Sequence, residues 1–128
     1  ADSEVTGDKL ELDYEADQAV VTGSPRLASG ELVVTGDRFD FNLATSDLEV
    51  SGSAYLEAPE QELTAESNNL SFDRSKQEVT LTGEVRIERG SQNLTAPEVV
   101  IDLENKRLKT KGQTRFLLPE EQGDEDGD

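Results

Sequence analysis

Carboxylates are the only chemistry-bearing side chains that this sequence supplies in quantity: it holds 29 Asp and Glu against 12 Lys and Arg, and no His, Cys, Met or Trp. The missing types exclude imidazole acid–base work, thiol chemistry and the usual transition-metal ligands. Several serines are present, but none has a partner base, so a hydrolase has no visible apparatus. Asp124, Glu125, Asp126 and Asp128 resemble a fragment of a calcium loop, yet the spacing and closing glutamate of an EF-hand are missing, and a solvated acidic tail is the better reading. Carboxylates such as Glu11 and Asp13, or Asp37 and Asp40, sit where the outer face of a sheet is expected. The triplets Asn69-Leu70-Ser71 and Asn93-Leu94-Thr95 match a glycosylation pattern that arises often by chance. The residues point to no enzyme, no metal and no cofactor. A net charge of −17 also argues against nucleic acid, whose phosphates need a basic face, and it favours solubility.

Strands are the elements that this chemistry-poor sequence builds. In Gln77 to Glu88, QEVTLTGEVRIE, the residues Val79, Leu81, Val85 and Ile87 alternate with polar ones, the mark of a half-buried β-strand, with Gly83 in the middle. The phrase recurs around four glycines, Gly23, Gly52, Gly83 and Gly112, as AVVTGSPRL, LEVSGSAYL, VTLTGEVRI and LKTKGQTRF. A second phrase precedes each: VTGDKLELDY, VTGDRFDFNL, LTAESNNLSF and LTAPEVVIDL. Its threonines, Thr6, Thr35, Thr64 and Thr95, are 29, 29 and 31 residues apart, a period suited to stacked β units.

The 128 residues therefore read as one all-β domain of four two-strand units, about eight antiparallel strands, over residues 5–118. Residues 1–4 read as a polar lead-in and 119–128 as a disordered acidic tail, six of whose last nine residues are acidic. No basic-then-apolar stretch opens the sequence, and no run of 18 apolar residues marks a membrane span. Aromatic content of 5% implies a thin Leu and Val core. Pro25 cannot donate to a ladder, so it belongs at an edge or a corner. Between each Thr and the following alternation the parity of apolar positions changes, which requires a bulge or corner between Gly7 and Leu10 and in every later unit. The sheet then folds over on itself around a narrow apolar interior. Counted from the threonines, Leu12, Phe41, Leu70 and Ile101 share one place, and Asn68 falls where other units carry Leu10, Phe39 and Val99, a weak spot on the inner face.

These paired strands, with a small residue after V-T or L-T and a glycine in the following strand, resemble the OstA-like family of lipopolysaccharide transport, the LptA/LptC-like periplasmic β-jellyrolls. The resemblance is strongest over LTAESNNLSFDRSKQEVTLTGEVRIERGSQNLTAPEVVIDLENKRLKTKG, and units one and two are fainter echoes. It implies a folded-over antiparallel β-jellyroll in the periplasm or cell envelope, with acyl chains of lipopolysaccharide or a related glycolipid held in a groove. It also implies terminal strand edges that pair head to tail with other OstA-like modules or with further copies. The inner-face residues that would line this groove are Leu10, Leu12, Phe39, Phe41, Leu48, Val50, Leu56, Leu70, Phe72, Val79, Leu81, Val85, Ile87, Val99, Ile101 and Phe116. The alternative is a structural β-repeat, a surface or filament scaffold with no ligand. An apolar groove open along one side separates the first from the second, which needs a filled core.

Overall fold

The computed structural model describes residues 3–30 and 32–118. Its strands are β1 (Glu4–Thr6), β2 (Lys9–Asp13), β3 (Gln18–Thr22), β4 (Arg26–Ala28), β5 (Val33–Thr35), β6 (Arg38–Asn42), β7 (Asp47–Ala58), β8 (Leu63–Asp73), β9 (Glu78–Arg89), β10 (Gln92–Asp102), β11 (Arg107–Lys111) and β12 (Arg115–Leu117). One 3-10 turn, Pro59–Gln61, joins β7 to β8. Twelve strands replace the expected eight because four of the chain's eight passes break at their corner. β1 and β2 form one pass, as do β3 and β4, β5 and β6, and β11 and β12, whereas β7 to β10 run through the corner unbroken. The first described strand begins at Glu4, the last residue of the expected lead-in. Residues 119–128, including the calcium-like acids, lie outside the described residues.

All neighbours are antiparallel, and the passes follow sequence order. One layer runs β1, β4, β5, the second halves of β7 and β9, the first halves of β8 and β10, and β12. The other runs β2, β3, β6, the remaining halves and β11. Both layers are the same passes before and after the corner. The result is a jellyroll folded along its length, closed at the corner and open at the tips.

The corner is made by the four glycines. Gly23, Gly52, Gly83 and Gly112 have φ of 79°, 79°, 83° and 89°, a region that side chains rarely adopt. Each glycine also lies under a side chain of the preceding pass: Asp8, Asp37, Asn68 and Pro97 respectively. A Cβ at Gly83 would come 2.6 Å from Asn68 Nδ2, and one at Gly112 would come 2.7 Å from Pro97 Cγ. The bulge leaves backbone groups to share. The Asp8 amide donates to the carbonyls of both Thr22 (3.0 Å) and Gly23 (3.1 Å), and the Asp37 amide to those of Ser51 (3.3 Å) and Gly52 (3.0 Å). Pro25 sits buried in the break between β3 and β4, which are paired on both sides, so it marks a corner rather than an edge.

Asn68 is one of these corner residues and is exposed, so it is not a weak spot on the inner face. Unit three carries two extra residues before its corner, the source of the 31-residue spacing. Aligned on the glycines, the recurring inner positions are Leu10, Phe39, Leu70 and Val99, then Leu12, Phe41, Phe72 and Ile101. The insertion brings Ser67 to the place of Gly7, Gly36 and Ala96; it is buried there, and its hydroxyl donates to the Asn69 carbonyl at 2.8 Å.

At the opposite tip, each unit turns on an Asx residue. Asp13 Oδ1 accepts from the amides of Glu15 and Ala16, Asn42 Oδ1 from Ala44 and Thr45, Asp73 Oδ1 from Lys76, and Asp102 Oδ1 from Asn105, at 3.0–3.2 Å. Each turn closes through a left-handed residue, Asp17, Ser46, Gln77 or Lys106. Behind the corner, Phe39, Leu81 and Val99 have no exposure, and Val50, Val79 and Val85 have 1%. The small residues that recur between units serve this close packing.

The same substitution at two glycines separates the corner from an ordinary turn. Gly90 has φ of 59° and open space around its Cα, so Gly90→Asn is expected to cost under ~1 kcal/mol. Gly83→Asn meets Asn68 and is expected to cost ~2–3 kcal/mol. Urea unfolding of both variants checks the difference.

Candidate functional site

The open side of the fold is where the packing stops. Eight large apolar side chains, Leu27, Leu32, Phe41, Leu63, Phe72, Leu94, Leu103 and Leu108, are only half-buried and form a row over the core. Two cavities run along them, of about 390 Å³ at the carboxyl end and about 370 Å³ toward the amino end, and both are lined by Leu103. They make one groove between the layer tips, mostly apolar in its lining.

The sequence-derived residues divide in three. Phe41, Leu48, Leu56, Leu70, Phe72 and Val79 line the amino-end cavity, and Ile87, Ile101 and Phe116 the carboxyl-end one. Phe39, Val50, Leu81, Val85 and Val99 line neither; they are core behind it, which corrects their assignment as groove residues. Leu10 and Leu12 share the inner face by register, opposite Val21 and Ala19. They are 58% and 47% exposed because no further strand flanks β2, so they belong to the amino end of the sheet.

Several lining residues are absent from that set. Val5, Val34, Leu63 and Leu94 immediately precede the repeat threonines, and all four line the groove. Strict alternation would send them to the far face, but the corner turns both halves of each pass inward. An apolar residue before each repeat threonine was the available signal. Leu103, Leu108 and Leu43 lie at or beside the tip turns, where alternation ends.

Charge is distributed unevenly around the groove. Its lining includes Arg74, Arg89, Lys106 and Arg107 but a single carboxylate, Asp102. The full sequence has 29 acids to 12 bases, with eight of the acids outside the described residues. Asp102 is held below the usual carboxylate range, chiefly by the hydrogen bond from the Asn105 side-chain amide (2.9 Å) and by the Asn105 backbone amide. The outer face is acidic: burial pushes the Tyr55 phenol up, and Glu57, Glu66 and Glu88 push it further.

Residues 64–126 match the family model described as "LptA/(LptD N-terminal domain) LPS transport protein". Those residues carry the OstA-like pattern. The match falls on the half of the sequence in which the family pattern is clearest. No curated protein sequence matches the chain. Among solved structures, the fold is similar to that of LptH from Pseudomonas aeruginosa, described as the LptA-homologous periplasmic component of the lipopolysaccharide transport device. The TM-score is 0.86 at 15% identity, covering 93% of this chain and 96% of that one. The likeness of fold extends beyond the sequence match to the first two units.

Core and groove residues of similar size are expected to respond differently. Leu81→Ala empties a fully buried site and should cost ~2–5 kcal/mol. Leu103→Ala removes a half-buried side chain and should cost ~1 kcal/mol while weakening binding of a groove-filling fluorescent lipid. Thermal unfolding and lipid titration of the two variants measure this.

Proposed function

We propose that this chain is a periplasmic lipopolysaccharide-transport module whose groove shields acyl chains from water, and that it is not an enzyme. The supporting observation is the row of eight half-buried large apolar side chains along the open side, continuous with a closed core. A scaffold with nothing to carry would fill that side; a lipid carrier leaves apolar surface that a chain can cover. The described residues contain no helix long and apolar enough to cross a membrane. Native mass spectrometry of protein expressed in a host that makes lipopolysaccharide is expected to show a co-purified lipid that Leu103→Asp abolishes. Lipid-free protein in both cases would favour the scaffold reading.

End-to-end pairing of modules is the second part of the proposal. Most of the exposed large apolar side chains are at the two sheet ends: Val5, Leu10 and Leu12 at one, Phe116, Leu117 and Leu118 at the other. Internal registers supply a rule for a joint. The residue two before each corner glycine faces an inner residue of the next pass, as Val21 faces Phe39 and Leu81 faces Val99. Continued into another copy, the rule sets Thr110 opposite Leu10, Lys109 opposite Glu11, Leu108 opposite Leu12, Arg107 opposite Asp13 and Phe116 opposite Val5. Two pairs are opposite charges and two are apolar, although Lys111 meets Lys9. Such a contact is heterologous and extends rather than closes. Sedimentation velocity over a hundredfold concentration range is expected to show salt-weakened association. Lys109→Glu or Glu11→Lys alone should reduce it, and the double variant should restore it. A single monomer boundary in all conditions would refute end-to-end pairing of copies of this chain.

A further inference from the structure

The groove is not electrically uniform along its length, and the asymmetry assigns it a direction. At the carboxyl-end mouth the pairing of Leu63 with Arg89 and of Arg89 with Gln92 places Arg89 on the inner face of its layer, in the row that ends at the tip. Alternation along β9 puts Val85, Ile87 and Arg89 on that face in succession, so a guanidinium stands where an apolar side chain would continue the groove wall. Its Nε donates to the Gln61 carbonyl at 3.2 Å, which leaves the rest of the guanidinium's donors unassigned. Across the mouth, the tip turn of the other layer supplies Lys106. Neither cation has a carboxylate within ion-pairing distance among the described residues, in a protein where acids outnumber bases by more than two to one. Asp102, the one acid lining the groove, accepts hydrogen bonds from Asn105.

We propose that this mouth seats the anionic headgroup of the carried amphiphile, with Arg89 and Lys106 holding a phosphate or similar group from opposite lips while the acyl chains run into the apolar groove. The proposal rests on the reading of the groove as a lipid carrier and adds an orientation to it. Two unpaired cations beside apolar walls favour an anionic amphiphile over a neutral one of equal chain length. The amino-end cavity has Arg74 as its one charged lining residue, so the head-end preference belongs to the carboxyl mouth.

The test is calorimetric titration of the whole chain with monododecyl phosphate and with dodecyl maltoside, each below its micelle concentration. The wild-type protein is expected to bind the phosphate about tenfold more tightly, and the preference should weaken with salt. Arg89→Gln/Lys106→Gln should erase it while maltoside binding persists and the variant still unfolds cooperatively, any small loss of melting temperature reflecting the Arg89 hydrogen bond to the Gln61 carbonyl. Arg107 is kept because it belongs to the edge strand. Arg26→Gln/Arg86→Gln, away from the groove, should keep the preference. If the wild type binds both amphiphiles equally, or the Arg89/Lys106 variant retains the preference, the headgroup seat is wrong and the lipid groove stands. Binding of neither amphiphile overturns both. If inorganic phosphate competes as strongly as monododecyl phosphate, the mouth is a simple anion site, and the proposal fails.

Discussion

A glycine held at positive φ beneath a neighbouring side chain is the constraint on which the rest of this fold depends. Between an odd pass and the next even one, Asp8, Asp37, Asn68 or Pro97 covers the backbone of Gly23, Gly52, Gly83 or Gly112. The resulting bulge flips the side-chain parity and bends the pass. Because the bend recurs at the same place in successive passes, it becomes a crease along the whole sheet. Both halves of every strand can then present apolar residues to one interior. Without the crease, Leu63 and Leu70 would point to opposite faces of a flat sheet; with it, both line the groove.

A creased sheet has one closed side and one open side, and its side chains are distributed accordingly. Near the crease the layers are close, and Gly7 and Gly36 leave room for Val21 and Val50. Away from it the layers diverge, and Leu and Phe are too short to bridge the gap. The half-buried side chains of the groove pack directly on the core cluster, so a lipid chain would meet a continuation of the core. The acidic outer faces, with Tyr55 set among Glu57, Glu66 and Glu88, carry the negative charge that the groove largely lacks. One surface is suited to water and the other to an amphiphile.

The repeat made much of this legible in the sequence. Four glycines and their flanking alternation located the units, and the change of parity located the crease. The threonine spacing misled in unit three, where a two-residue insertion shifted Asn68 to a corner. Glycines are the better ruler because the crease tolerates no displacement of them, whereas the bulge beside them absorbs extra residues. The division between core and groove was not legible. Phe39 and Phe41 belong to the same alternation in the same strand, yet one is sealed in and the other lines the cavity. That difference depends on distance from the crease, which alternation does not encode. Arg89 was passed over because a charge in an alternating strand is ordinarily assigned to solvent.

Construction by passes also gives the molecule a unit of length. Neighbouring strands are ~4.8 Å apart, so each two-pass unit extends the trough by ~10 Å. Duplicating a unit would lengthen it without changing its cross-section, and a shorter insertion would be taken up as a local bulge. The reach of such a molecule is therefore quantised by copy number, and its bore is set separately by the side chains that repeat within each copy.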